Sequence, residues 1–101
     1  MDNDLCNKVN EYGKSLSNKA RFEIITTLFE GSKNVSEISR QIKLPQPTVS
    51  QHLLILKNAH IVTSEKLGNV VIYSLNYDRL IELQELLLET TKRGKAKSED
   101  K

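Results

Sequence analysis

Between Lys43 and Lys66 the chain carries side chains suited to reading a polar, anionic surface. Gln46, Thr48, Ser50 and Gln51 fall within one stretch of six residues. Each donates and accepts hydrogen bonds, and none is negatively charged. Such groups match the donor and acceptor pattern of base edges, and a glutamine amide can pair bidentately with adenine. Lys43 and Lys57 bracket the stretch and Lys66 follows it, as point charges for phosphates. The bland alternative is a neutral, solvated helix face, on which Gln, Ser and Thr need no special reason.

Other reactive groups are sparse. Cys6 is the single cysteine and the histidines are His52 and His60. They have no ligand-like spacing, so no metal site and no cofactor is expected. One thiol excludes an internal disulfide framework and fits a reducing cytoplasm. Cys6 reads as a small packed side chain, although two copies could meet across a dimer axis. His52 reads as a packed, hydrogen-bonded histidine; His60 suits a phosphate or the end of a helix. There is no phosphate loop and no carboxylate pair beside a Ser, Cys or His, so no enzyme is expected.

The elements that must position these residues follow from periodicity. Leu5, Val9, Tyr12 and Leu16 suggest a first short helix over residues 4–16. Ser17 is expected to cap a second helix, from Asn18 to Glu30, with Ile24, Ile25, Leu28 and Phe29 buried and Gly31 as its stop. Asn34-Val35-Ser36-Glu37 has the spacing of a capping box and opens a third helix, with Val35, Ile38 and Ile42 inward. Pro45 and Pro47 interrupt the pattern and are tolerated in a first turn. A fourth helix then runs from Gln46 to about Asn58, apolar along Val49, Leu53 and Leu56. At about 100° per residue, Gln51 falls opposite that apolar side, near Pro47, with Thr48 and Ser50 on the shoulders. Leu54 and Ile55 interrupt the polar face and are expected to pack on a neighbouring element.

Two short helices around a tight turn have the form of a helix-turn-helix. Beyond it the period changes to two. Ile61 to Leu67 and Val70 to Leu75 read as strands joined by the two-residue turn Gly68-Asn69. Val71, Tyr73 and Leu75 should face the core. Asn76 can cap a last helix over residues 77–91, which holds Leu80, Ile81, Leu83, Leu86, Leu87 and Leu88. That is more leucine than one face needs, and a twin helix from a second subunit is the simplest partner. The fold class expected is mainly α with a small β-hairpin, in the order α-α-α-α-β-β-α. Residues 1–91 form one domain and residues 92–101 a basic, disordered tail.

With 101 residues the chain suits one domain with little room for a large buried site. No apolar run approaches the length of a membrane span, and the acidic, polar start MDNDLCNKV does not read as a signal peptide. The net charge of +2 hides an asymmetry. Residues 33–68 carry five basic and two acidic side chains, whereas residues 77–91 carry four acidic and one basic. A basic middle suits a phosphate backbone, though it also suits ordinary surface. Aromatic residues are 5% of the chain and sit mostly at core-like positions, so no stacking platform for single strands is expected.

The stretch LPQPTVSQHLLILKNAHIV, from Leu44 to Val62, resembles the recognition segment of the ArsR-type winged helix-turn-helix repressors. SNKARFEIITTLFEG, from Ser17 to Gly31, resembles that family's second helix, and GNVVIYSL, from Gly68 to Leu75, its wing and return strand. The resemblance implies a cytoplasmic homodimer that binds a palindromic operator in double-stranded DNA and blocks transcription. It implies that Gln46, Pro47, Thr48, Ser50 and Gln51 face the major groove. The wing residues Lys66, Gly68 and Asn69 would lie along the adjacent backbone or minor groove, next to Lys43, Lys57 and His60, which the residues themselves suit to phosphates. It implies a dimer interface through the first and last helices, with Leu5, Val9, Tyr12, Leu83, Leu86 and Leu87. The chain departs from the family where many members hold metal through Cys-x-Cys, because Asn34 and Ser36 stand there. The last helix has no histidine, and Cys6 is alone where oxidant sensors use two cysteines. Two alternatives stay open: a winged-helix protein-interaction module, and a redox-responsive repressor acting through Cys6.

Overall fold

The computed structural model describes residues 7, 10, 13–15 and 17–99. Leu5, Cys6, Val9, Tyr12 and Leu16 lie outside the described residues, so their expected roles are not placed. Residues 13–15 are helical. Then follow α1 (Lys19–Leu28), β1 (Lys33–Asn34), α2 (Val35–Ile42), α3 (Gln46–Asn58), β2 (Val62–Leu67), β3 (Val70–Leu75) and α4 (Tyr77–Glu99).

The cap of α1 is Asn18, not Ser17. Asn18 Oδ1 accepts from the amides of Ala20 (2.8 Å) and Arg21 (3.2 Å). The Ser17 hydroxyl instead donates to the Lys14 carbonyl at 2.9 Å, so it is not available to the helix. Ile24, Ile25 and Leu28 are buried, with Thr27 beside them. Phe29, expected in that stripe, is exposed. It falls about 100° from the centre of the buried side, on the flank of Phe22.

The capping box of α2 is formed. The Glu37 amide donates to Asn34 Oδ1 (2.8 Å) and the Asn34 amide donates to Glu37 Oε1 (3.1 Å), which satisfies two groups the helix would otherwise leave open. The turn into α3 needs Lys43 in the left-handed region, at φ 58°. The Leu44 amide reaches back to the Ser39 carbonyl at 3.2 Å, and the Ser39 hydroxyl donates to the Leu44 carbonyl. Pro47 lies in the first turn of α3, where its missing N–H costs nothing.

The sheet has three strands rather than two. In the order β1-β3-β2, Lys33 pairs with Tyr73 and Asn34 with Ile72 on one side of β3, and Val62 to Leu67 pair with Leu75 to Val70 on the other. Gly68 sits at φ 63° in the hairpin turn, a conformation that favours glycine. Leu75 is buried, and Val71 and Tyr73 are half-buried.

The core joins α1, α2, α3 and the sheet. Ile24, Leu28, Ile38, Val49, Leu53, Leu56, Ile61 and Val62 are buried in one cluster with Leu75, Leu80 and Leu83. Asn76 Oδ1 accepts from the Arg79 amide at 3.2 Å and opens α4. That helix does not end near residue 91. It continues to Glu99, carried by the spaced pairs Arg93–Glu89 (3.2 Å) and Lys95–Glu99 (3.9 Å), so the expected disordered tail is helical as far as Glu99.

Candidate nucleic-acid interface

Helix α3 buries Val49, Leu53 and Leu56 and so fixes which residues point away. Gln46, Pro47, Ser50, Gln51, Leu54, Lys57 and Asn58 are exposed, and Thr48 is half-buried. No acidic side chain lies anywhere on this helix. The outward stripe runs through Pro47, Gln51, Leu54 and Asn58, one helical turn apart at each step. Ser50 and Lys57 form one shoulder and Ile55 the other. Leu54 and Ile55 do not pack away as expected; both stand in solvent. The N-terminal end carries amides with no helical partner, which favours an anion there.

Lys43, Lys66, Gly68 and Asn69 are exposed. The hairpin end bearing Gly68 and Asn69 stands over the start of α2: Asn34, Val35 and Ser36 line a cleft of about 360 Å³ with Asn69, Val70, Val71 and Tyr73. Lys57 and His60 are brought together at the other end of α3. They line a cleft of about 440 Å³ with Asn58, Val62, Thr63, Ser64 and Asn76. His60 takes the left-handed conformation (φ 61°) and its amide donates to the Lys57 carbonyl at 3.0 Å, so its backbone turns the chain out of the helix. The expected DNA-facing residues therefore form three groups: a polar set at the start of α3 with Lys43 before it, Lys57 with His60 at its end, and Lys66, Gly68 and Asn69 on the hairpin.

His52 is half-buried and faces α1. An Arg21 guanidinium nitrogen stands 3.4 Å from His52 Nδ1, while other nitrogens of the same group donate to the carbonyls of Ser15 (3.1 Å) and Lys14 (2.9 Å). Burial, and after it the Arg21 charge, hold the His52 pKa below the usual 6.5. This matches the packed role expected for His52. Arg21, which joins three segments, carried no signal in the sequence beyond its place in a helix.

Among the described residues no group of three or more His, Cys, Asp or Glu can hold a metal ion. Among the described residues no helix is long and apolar enough to cross a membrane either.

Of the dimer residues expected on the last helix, Leu83 is only 2% exposed within the single chain, so it belongs to the core. Leu86 is half-buried and Leu87 exposed. The free apolar surface of α4 is Tyr77, Ile81 and Leu88 together with Leu87. Tyr77 continues onto α1, with its ring centroid 6.1 Å from that of the exposed Phe29.

A tight helix pair, a polar second helix and a flanking hairpin define a winged helix-turn-helix domain. Residues 18–64 match the model of bacterial regulatory proteins of the arsR family. The chain belongs to the ArsR family. It is 38% identical over 72 residues to the HTH-type transcriptional repressor SmtB of Mycobacterium tuberculosis, covering 71% of this chain and 53% of that protein. It thus spans about half the length of that relative. It is 40% identical over 83 residues to an uncharacterised HTH-type transcriptional regulator of Methanocaldococcus jannaschii, covering 81% of this chain and 93% of that one. The fold is shared with a homodimeric winged helix-turn-helix DNA-binding domain of Mycobacterium bovis, a possible ArsR-family regulator: TM-score 0.73, 22% identity, 92% of this chain and 90% of that one. These relatives are transcriptional regulators, not enzymes.

Proposed function

We propose that the chain is a homodimeric, sequence-specific DNA-binding repressor, working in the cytoplasm on a palindromic operator. The observation that carries this reading is the outward face of α3. It exposes Gln46, Ser50 and Gln51, is free of acidic side chains and is fixed in orientation by the buried Val49, Leu53 and Leu56. A helix of this width fits the major groove, and its amides and hydroxyls suit base edges. Lys43, Lys57 and Lys66 add salt-sensitive affinity that is blind to sequence. The wing, with Lys66, Gly68 and Asn69, lies along the adjacent backbone. Two copies related by a two-fold axis set their α3 helices roughly 34 Å apart, in successive major grooves. Repression is then competition with the transcription machinery for the same DNA. The uncovered apolar residues of α4 supply part of the dimer surface. The reading places no metal at the start of α2, where Asn34 and Ser36 stand in place of thiolates and neither side chain makes a soft ligand.

The test is the pair Ser50→Ala and Gln51→Ala. Operator binding is lost in the double variant while its sedimentation stays that of the parent. Unchanged affinity would move the reading to a protein-interaction module.

A further inference from the structure

The outward stripe of α3 holds one large side chain that hydrogen bonding cannot employ. Leu54 is 59% exposed, the most exposed of the large apolar residues on that helix. It follows Gln51 by three residues and Ser50 by four, so it is their neighbour on the helix surface. Along the axis it stands roughly 4.5 Å beyond Gln51. That is between one and two base-pair steps of about 3.4 Å. The proposed interface therefore continues through Leu54. A leucine can neither contact a phosphate favourably nor pair with a base edge. It gains only by displacing water from another apolar group. The major-groove edge of DNA offers one such group, the C5 methyl of thymine.

We propose that Leu54 is a specificity-determining residue that packs on a thymine methyl, one or two base pairs from the pair read by Gln51. The inference rests on the DNA-binding reading and deepens it by assigning an A·T pair to each half-site. Ser50 and Lys57 keep one flank of Leu54 polar, and Ile55 on the other flank is less exposed than Leu54.

The experiment starts from duplexes selected by the full chain out of a random pool. Each thymine of the selected site is then replaced singly by deoxyuridine, which removes the methyl and nothing else. One position in each half-site should weaken binding about fourfold, the worth of one buried methyl-sized group. Leu54→Ala should bind the thymine and deoxyuridine duplexes equally at that position. Its circular dichroism and melting temperature should match the parent, because Leu54 is exposed to solvent. The proposal is overturned if no position responds to deoxyuridine, or if Leu54→Ala keeps the response. It is also overturned if Leu54→Ala changes sedimentation, which would make this face a contact between copies. A pool that yields no preferred sequence would defeat the DNA-binding reading itself, and this proposal with it.

Discussion

Gln51 and His52 are adjacent, yet they face different surroundings. One helical step turns the first to solvent and the second towards Arg21 of α1. The first is placed for recognition, the second for holding the helix. Because burial and Arg21 lower the His52 pKa below 6.5, the folded chain binds fewer protons than the unfolded chain just below that value. Its contribution to stability is complete above about pH 6.5 and is lost as the pH falls towards the folded pKa. Melting curves from pH 7.5 to pH 5 should therefore show a loss of stability that His52→Gln reduces. An unchanged pH slope in the variant would remove His52 from the account. The types and spacing that matter most on α3 were legible in the sequence, because Val49, Leu53 and Leu56 fix its phase. The exposure of Leu54 was not, because it depends on how far the hairpin and the neighbouring helices reach.

Elements with local signals were legible, and those without were not. The Asn34–Glu37 box is written in four consecutive residues and forms as read. Replacing Asn34 by Ala removes the acceptor for the Glu37 amide and should cost about 1 kcal/mol. For a domain of this size that lowers the melting temperature by about 4–8 °C. Ser36→Ala, two residues on in the same first helical turn and exposed, is the control that should leave it unchanged. The two-residue strand β1 has no periodicity of its own. Its pairing with β3 comes from the tertiary fold, so the third strand could not be read. The end of α4 was misread because the apolar run stops at Leu88. Charge pairs at a spacing of four carry the helix further, past Thr90 and Thr91, whose hydroxyls donate back to the carbonyls of Leu86 and Leu87.

For the whole molecule, the question is what covers the apolar residues α4 leaves in water. Leu83 cannot serve, since the chain buries it alone. Ile81 and Leu88 lie on one flank, seven residues apart, and are the positions at which a charge would disturb an interface without touching the core. In the dimeric reading, Ile81→Glu with Leu88→Glu sediments as a monomer and keeps the parent's circular dichroism. Its operator affinity falls steeply because one α3 helix then binds alone. A double variant that stays dimeric would place the interface elsewhere.

The central claim is that this chain reads DNA sequence, and a binding titration over a salt series tests it most directly. The duplexes are one from upstream of the chain's own gene and a scrambled one of equal length. Tight binding to the native duplex alone is predicted. With six lysine contacts from two subunits, log K should fall with log salt at a slope of roughly −5. Absence of binding to either duplex at low salt would contradict the account.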